Sequence, residues 1–149
     1  METSNEKIYK EIREILEKNR DAEKGYAKAA DKVESTDLKA YFTRKSNDRR
    51  EFNAKLVREL QNAYTDFDAN GSFGGNIHRA WMDVKALFSL DNDEAMLEEA
   101  IRGDKAAIDE YDDVLDYANL PTGLRFLLSE QREKIEREVA NNKTLEDIA

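Results

Sequence analysis

Four acidic side chains stand at helical intervals in a chain with no cysteine and a single histidine: Glu23, the pair Asp48-x-x-Glu51, and Asp104. Carboxylates on facing helices are the ligands with which a bundle holds two metal ions, one Glu from each of two helices and a Glu-x-x-His pair from each of the others. An all-oxygen set made of Glu23, Asp48, Glu51 and Asp104 would take Mn, Mg or Fe(II) rather than zinc. The last helix offers Gln131-x-x-Lys134 in that place. An amide is a poor bridging ligand, and an ammonium competes with a bound cation. The alternative chemistry is a metal-free layer in which Asn19, Asp48, Asp104 and Gln131 face one another. Lys45, Arg49 or Lys134 would then pair with the carboxylates, because an isolated buried charge costs several kcal/mol. The missing histidines favour this second arrangement, with no catalytic residue and no cofactor. Mn or Fe is the alternative.

The stretch "GGNIHRAWMDVKALFS", residues 74–89, holds the only histidine and the only tryptophan. His78 lies one position from the stripe Ile77, Trp81 and Val84, at the edge of a packing face. With no second histidine it belongs to no multi-His metal site, and no Ser or Thr is recognisably paired with it as a nucleophile. His78 and Trp81 therefore read as structural anchors of a short helix, which must bury large side chains to stay docked. The preceding Gly-Ser-Phe-Gly-Gly lacks the GxxxxGK[ST] pattern and follows no strand, so it reads as a turn rather than a phosphate loop.

The elements that must position these groups are helices. One Pro and 6 Gly in 149 residues leave few breakers, and the apolar residues recur at three- and four-residue intervals. A first helix near 5–33 carries Ile8, Ile12, Ile15, Asn19, Ala22, Tyr26 and Val33. A second, near 37–67, carries Leu38, Tyr41, Phe42, Lys45, Asp48, Arg49, Phe52, Leu56 and Leu60. A third, short helix is expected near 76–88. A fourth, near 92–117, carries Leu97, Ile101, Asp104, Ile108, Tyr111 and Leu115, and a fifth, near 123–141, carries Leu124, Leu127, Leu128, Gln131, Ile135 and Val139. Short connections make the first two long helices one antiparallel hairpin and the last two another. The expectation is an all-α, single domain over residues 1–149. Its crossover spans about 68–91, and a polar tail occupies about 142–149. One long crossover between two hairpins is the topology of ferritin-like four-helix bundles.

Charge limits the partners. A net charge of −9 repels phosphate backbones, so nucleic acid is not expected. There is no apolar run near 18 residues and no signal-peptide core, which points to a soluble, cytoplasmic chain without a membrane partner. The absence of Cys excludes disulfides, thiolate metal sites and cysteine nucleophiles.

Three stretches resemble a known family. "EKGYAKAADKVESTDLKAYF", "GSFGGNIHRAWMDVKA" and "MLEEAIRGDKAAIDEYDDVL", followed by Gln131 and Ile135, look like the bacterial ferritin-like four-helix-bundle proteins grouped as domain of unknown function 2383. The likeness covers roughly residues 5–139. Its most specific element is the glycine-rich turn Gly71, Ser72, Gly74 and Gly75, followed by His78, Arg79, Trp81, Asp83 and Lys85. The resemblance implies the ferritin-like fold and a bacterial, cytoplasmic setting, and supplies no activity. The function expected is that of a non-catalytic bundle acting through its surfaces, as a homodimer or a stress-linked accessory protein. The alternative is a carboxylate-type metal-binding or redox protein with a degenerate di-metal site.

Overall fold

The computed structural model describes residues 4–64, 81–82 and 92–148. Four long helices account for most of them: α1 (Ser4–Lys32), α2 (Thr36–Ala63), α3 (Asp93–Leu115) and α4 (Thr122–Asn141). A single-turn α5 (Leu145–Ile148) follows, and the described residues contain no strand. The caps explain two of the starts. The Ser35 side chain accepts from the Leu38 N–H at 3.2 Å, and the Asn92 carboxamide accepts from the Ala95 N–H at 2.7 Å, each satisfying an orphan donor of the first turn. Helix α2 stops at Tyr64, which takes an extended conformation, short of the boundary expected near residue 67. The tail expected after residue 141 instead forms α5, where Ile148 packs against the apolar cluster of α2 and α3. The short helix expected near 76–88, with His78, lies outside the described residues apart from Trp81 and Met82.

Side-chain bonds between helices give their directions. Between α1 and α2 the pairs are Ala30 with Lys39, Glu23 with Ser46, Asn19 with Arg49, and Leu16 with Asn53. One number rises as the other falls, so the two are antiparallel. Helices α1 and α3 are antiparallel by Asn19–Tyr111 and Tyr26–Asp104, α3 and α4 by Leu115–Arg125 and Tyr111–Gln131, and α2 and α4 by Arg44–Glu138 and Asp48–Lys134. The ring order is therefore α1, α2, α4, α3, with the diagonal pair α2 and α3 running in the same direction. Asp93, the first residue of α3, accepts from the backbone N–H groups of Glu34 and Ser35 in the turn that precedes α2, at 3.2 and 3.0 Å. Both helices start at that end. A helix of 28 residues is about 42 Å long at about 1.5 Å per residue, so α2 ends at the opposite end of the bundle from the start of α3.

The apolar core falls into two clusters, one at each end. Ile8, Ile12, Leu56, Leu60, Val114, Leu124 and Leu128 fill one end, and Val33, Leu38, Phe42, Met96, Leu97 and Ala100 fill the other. Helix α3 buries Leu97, Asp104 and Tyr111 of the stripe its sequence suggests, but the rest of its buried arc is shifted. Ala100, Gly103, Ala107 and Val114 are buried, whereas Ile101, Ile108 and Leu115 are half-buried. Trp81 and Met82 lie against this arc. A Cβ on Gly103 would stand 3.0 Å from Met82 Cβ and 3.2 Å from the Trp81 carbonyl oxygen, tight enough that any larger residue would push that backbone away by a few tenths of an ångström. Trp81 is 5% exposed and its ring lies 6.2 Å from that of Tyr111. Truncating it leaves a void that its neighbours cannot close, so Trp81→Ala should cost roughly 3 to 5 kcal/mol. An unchanged urea midpoint in that variant would reject this packing.

Candidate functional site

Between the two apolar clusters every long helix contributes a polar side chain to one layer. Asn19 on α1, Arg49 on α2, Asp104 on α3 and Gln131 on α4 each lie within one residue of the midpoint of their helix, and all are buried. They are polar residues on otherwise apolar stripes, so the packing that buries the stripes delivers them to the interior together.

The bonds form one network. Asp104 Oδ1 accepts from Arg49 Nη2 at 2.7 Å and from the Tyr26 hydroxyl at 2.6 Å, while Oδ2 accepts from Lys45 Nζ. Arg49 Nη1 donates to Asn19 Oδ1 at 2.9 Å. Asn19 Nδ2 donates to the Tyr111 oxygen at 3.2 Å, the Tyr111 hydroxyl donates to Gln131 Oε1 at 2.8 Å, and Gln131 Nε2 donates to the Phe52 carbonyl at 3.0 Å. Each amide orientation is set by its neighbours, since Asn19 must present oxygen to a guanidinium and nitrogen to a phenol.

The layer holds two cations against one carboxylate. The side chains of Lys45, Arg49 and Asp104 are 4%, 3% and 1% exposed, so water compensates none of them. Aromatic faces take up the surplus positive charge. Lys45 Nζ lies 5.0 Å from the Tyr26 ring centre and 5.3 Å from that of Tyr41. The Arg49 guanidinium lies 5.4 Å from Trp81 and 5.8 Å from Tyr26. Such contacts contribute about 2 kcal/mol or more when desolvated.

Burial alone would push the Asp104 carboxyl up. The adjacent Lys45 and Arg49 charges outweigh it, with hydrogen bonds from Lys45 and Tyr26, and hold the group below the ordinary aspartate value. Burial pushes the Tyr111 phenol up to about 12, and it pushes Tyr26 well above the usual tyrosine range, with the Asp104 charge adding to the effect. Both phenols therefore serve as neutral donors at neutral pH.

The four acids considered as metal ligands are placed apart. Asp104 is enclosed by Lys45 and Arg49. Asp48 sits at the rim between α2 and α4, paired with Lys134 at 3.2 Å. Glu51 is exposed and pairs with Lys55 one turn along α2, at 3.2 Å. Glu23 is half-buried, and its backbone carbonyl accepts from Ser46 Oγ. Among the described residues no three His, Asp or Glu side chains come together as metal ligands do. The cause is helical phase. Lys45, Arg49 and Phe52 form the inward stripe of α2, and Asp48 and Glu51 each fall one residue short of it. Two further participants, Tyr26 and Tyr111, sit on stripes that sequence reasoning reads as apolar. The available signal was the pair of basic residues four apart on an otherwise apolar seam.

The chain matches the family model described as Domain of unknown function (DUF2383) over residues 7–117. It belongs to this family. No curated protein matches it. The DUF2383 stretch contains α2 and α3 whole and nearly all of α1. It thus includes Asn19, Tyr26, Lys45, Arg49, Asp104 and Tyr111, while α4 with Gln131 lies beyond it. Among the described residues of this DUF2383 protein, no helix is long and apolar enough to cross a membrane.

The sign of the Asp104 shift gives an acid-stability prediction. Because its folded-state value is depressed, its contribution is present in full above the unfolded value, about 3.9, and is lost as pH falls through the folded one. The difference in unfolding free energy between the parent and Asp104→Asn should therefore be constant from neutral pH to about pH 5 and shrink below about pH 4. Urea unfolding at a series of pH values measures it. A difference that grew on acidification would contradict the assignment.

Proposed function

We propose that this DUF2383 protein is a single-domain, non-catalytic, ferritin-like four-helix bundle in which an ion-paired layer stands where such bundles hold metal, and that it acts through its surfaces. The ferritin-like reading is supported by the helix directions, since parallel diagonal helices α2 and α3 demand one long crossover. The observation that carries the functional reading is Asp104. Its two oxygens are engaged by Lys45, Arg49 and Tyr26, and a divalent cation would have to displace two positive charges to reach them. The resemblance noted in the sequence adds a bacterial, cytoplasmic setting. The role we assign to it is an accessory one, stress-linked and exercised as a homodimer or on another protein. The net charge of −9 speaks against nucleic acid as its partner.

The alternative is a carboxylate metal or redox site loaded with Mn or Fe. Calorimetric titration of the chelator-treated protein with Mn²⁺, and anaerobically with Fe²⁺, separates the two. No saturable heat is expected. Saturable binding of about two ions per chain, abolished by Asp104→Ala, would establish the metal site instead.

A further inference from the structure

We propose that the face formed by α2 and α4 is a dimer surface whose occupant is a second copy of this chain, turned end for end about a point between Leu128 and Ser129 of α4. The inference rests on the reading that the bundle acts through its surfaces. Between the two helices lies a recess of about 270 Å³ whose walls include Phe52, Leu127 and Gln131. A cavity of about 150 Å³ accepts benzene, so a phenyl ring fits this one. Phe126 offers that ring. It is 76% exposed, and among the described residues the only other exposed large apolar side chain is Leu145, at 36%. Phe126 shares a line along α4 with Glu130 and Arg137, which edge the recess, so it stands on the rim and not inside.

The charges along this face select the partner. The Asp48–Lys134 pair, the bond from Gln131 to the Phe52 carbonyl and the Glu59 carboxylate beside Gly123 fix which residues of the antiparallel α2 and α4 stand at one height. On that register Lys55 is level with Leu127, and Glu51 with Gln131. The groove is therefore edged in order by Glu59, then Lys55, then Glu51 and Glu130, then Lys134. At the last position Lys134 is 46% exposed and Asp48 only 17%, so the cation faces out. A stripe that reads negative, positive, negative, positive is the complement of its own reversal. In the reversed copy Glu59 meets Lys134 of the partner subunit, Lys55 meets the partner's Glu51 and Glu130, and Phe126 reaches the height of the partner's Gln131, over the recess. Every contact occurs twice, as a closed two-fold interface requires. The in-chain pairs of Lys55 with Glu51 and Lys134 with Asp48 lie at the surface and contribute little, so both cations can change partners. A partner surface of one sign would meet repulsion at every second position.

Sedimentation velocity of the full chain over a concentration series measures the association. The parent should be a dimer at micromolar concentration. Phe126→Asp should raise the dimer dissociation constant roughly 30-fold or more, as loss of an interface anchor does, and leave far-UV ellipticity unchanged because the ring is exposed in the single chain. Lys55→Glu should also weaken the dimer, and adding Glu51→Lys and Glu130→Lys to it should restore the association, a rescue that a merely structural defect would not show. Asp109→Ala, exposed on α3 across the bundle, should keep the parent dissociation constant. A parent that stays monomeric, or a Phe126→Asp variant that dimerises as the parent does, would overturn the proposal. If Phe126→Asp fails to fold, the charge swap decides on the same measurement. Either failure leaves the metal-free layer standing, since the Mn²⁺ titration tests that separately.

Discussion

A carboxylate with 1% of its side-chain surface exposed stays ionised only if the protein replaces water around it completely. At Asp104 the replacement is an ammonium, a guanidinium and a phenol, supplied by Lys45 and Arg49 of α2 and Tyr26 of α1. Much of the bundle follows from that requirement. The donors must arrive from two helices at one depth, which pins the register of α1, α2 and α3 to a single value. Gln131 and Tyr111 extend the same layer to α4. Apolar stripes alone tolerate sliding by a turn. A carboxylate that must meet two cations does not, because a slipped register leaves a buried charge unpaired at a cost of several kcal/mol.

The two apolar clusters have a different task. They supply the favourable free energy, about 1.5 to 3 kcal/mol for each large side chain taken wholly out of water, and they are non-directional. Their division into two ends is a consequence of the layer, which occupies the middle of every long helix. The surplus positive charge of that layer explains why aromatic rings gather there. Tyr26, Tyr41, Phe52 and Trp81 place π-faces within about 6 Å of a cation. Trp81 is thereby bound into the electrostatics of the core as well as its packing.

The four long helices and their pairing were legible in the sequence because they rest on local signals: apolar periodicity, few breakers, and short connections within each hairpin. The mid-bundle polar layer was legible in part. Asn19, Asp104 and Gln131 interrupt apolar stripes, and buried interruptions need partners. Asp48 was misplaced because a stripe read from spacing fixes a face only to within about a residue, and one residue turns a helical side chain by about 100°. Gly103 carried no readable signal, since its significance lies in the backbone of Trp81 and Met82 laid against it from far along the chain. The roles of Tyr26 and Tyr111 were hidden for a related reason. A tyrosine on an apolar stripe announces its ring, and only the fold shows where the hydroxyl ends.

The central claim is that Asp104, Lys45 and Arg49 form a closed unit, so that removing one member costs more than removing all three. Urea unfolding of the parent, Asp104→Asn and the triple variant Lys45→Met, Arg49→Met, Asp104→Leu measures this directly. Asp104→Asn strands two buried cations and should lose roughly 3 to 5 kcal/mol, while the triple variant, with no buried charge left in the layer, should recover most of that loss. An Asp104→Asn variant within about 0.5 kcal/mol of the parent, or a triple variant less stable than the single one, would contradict the account.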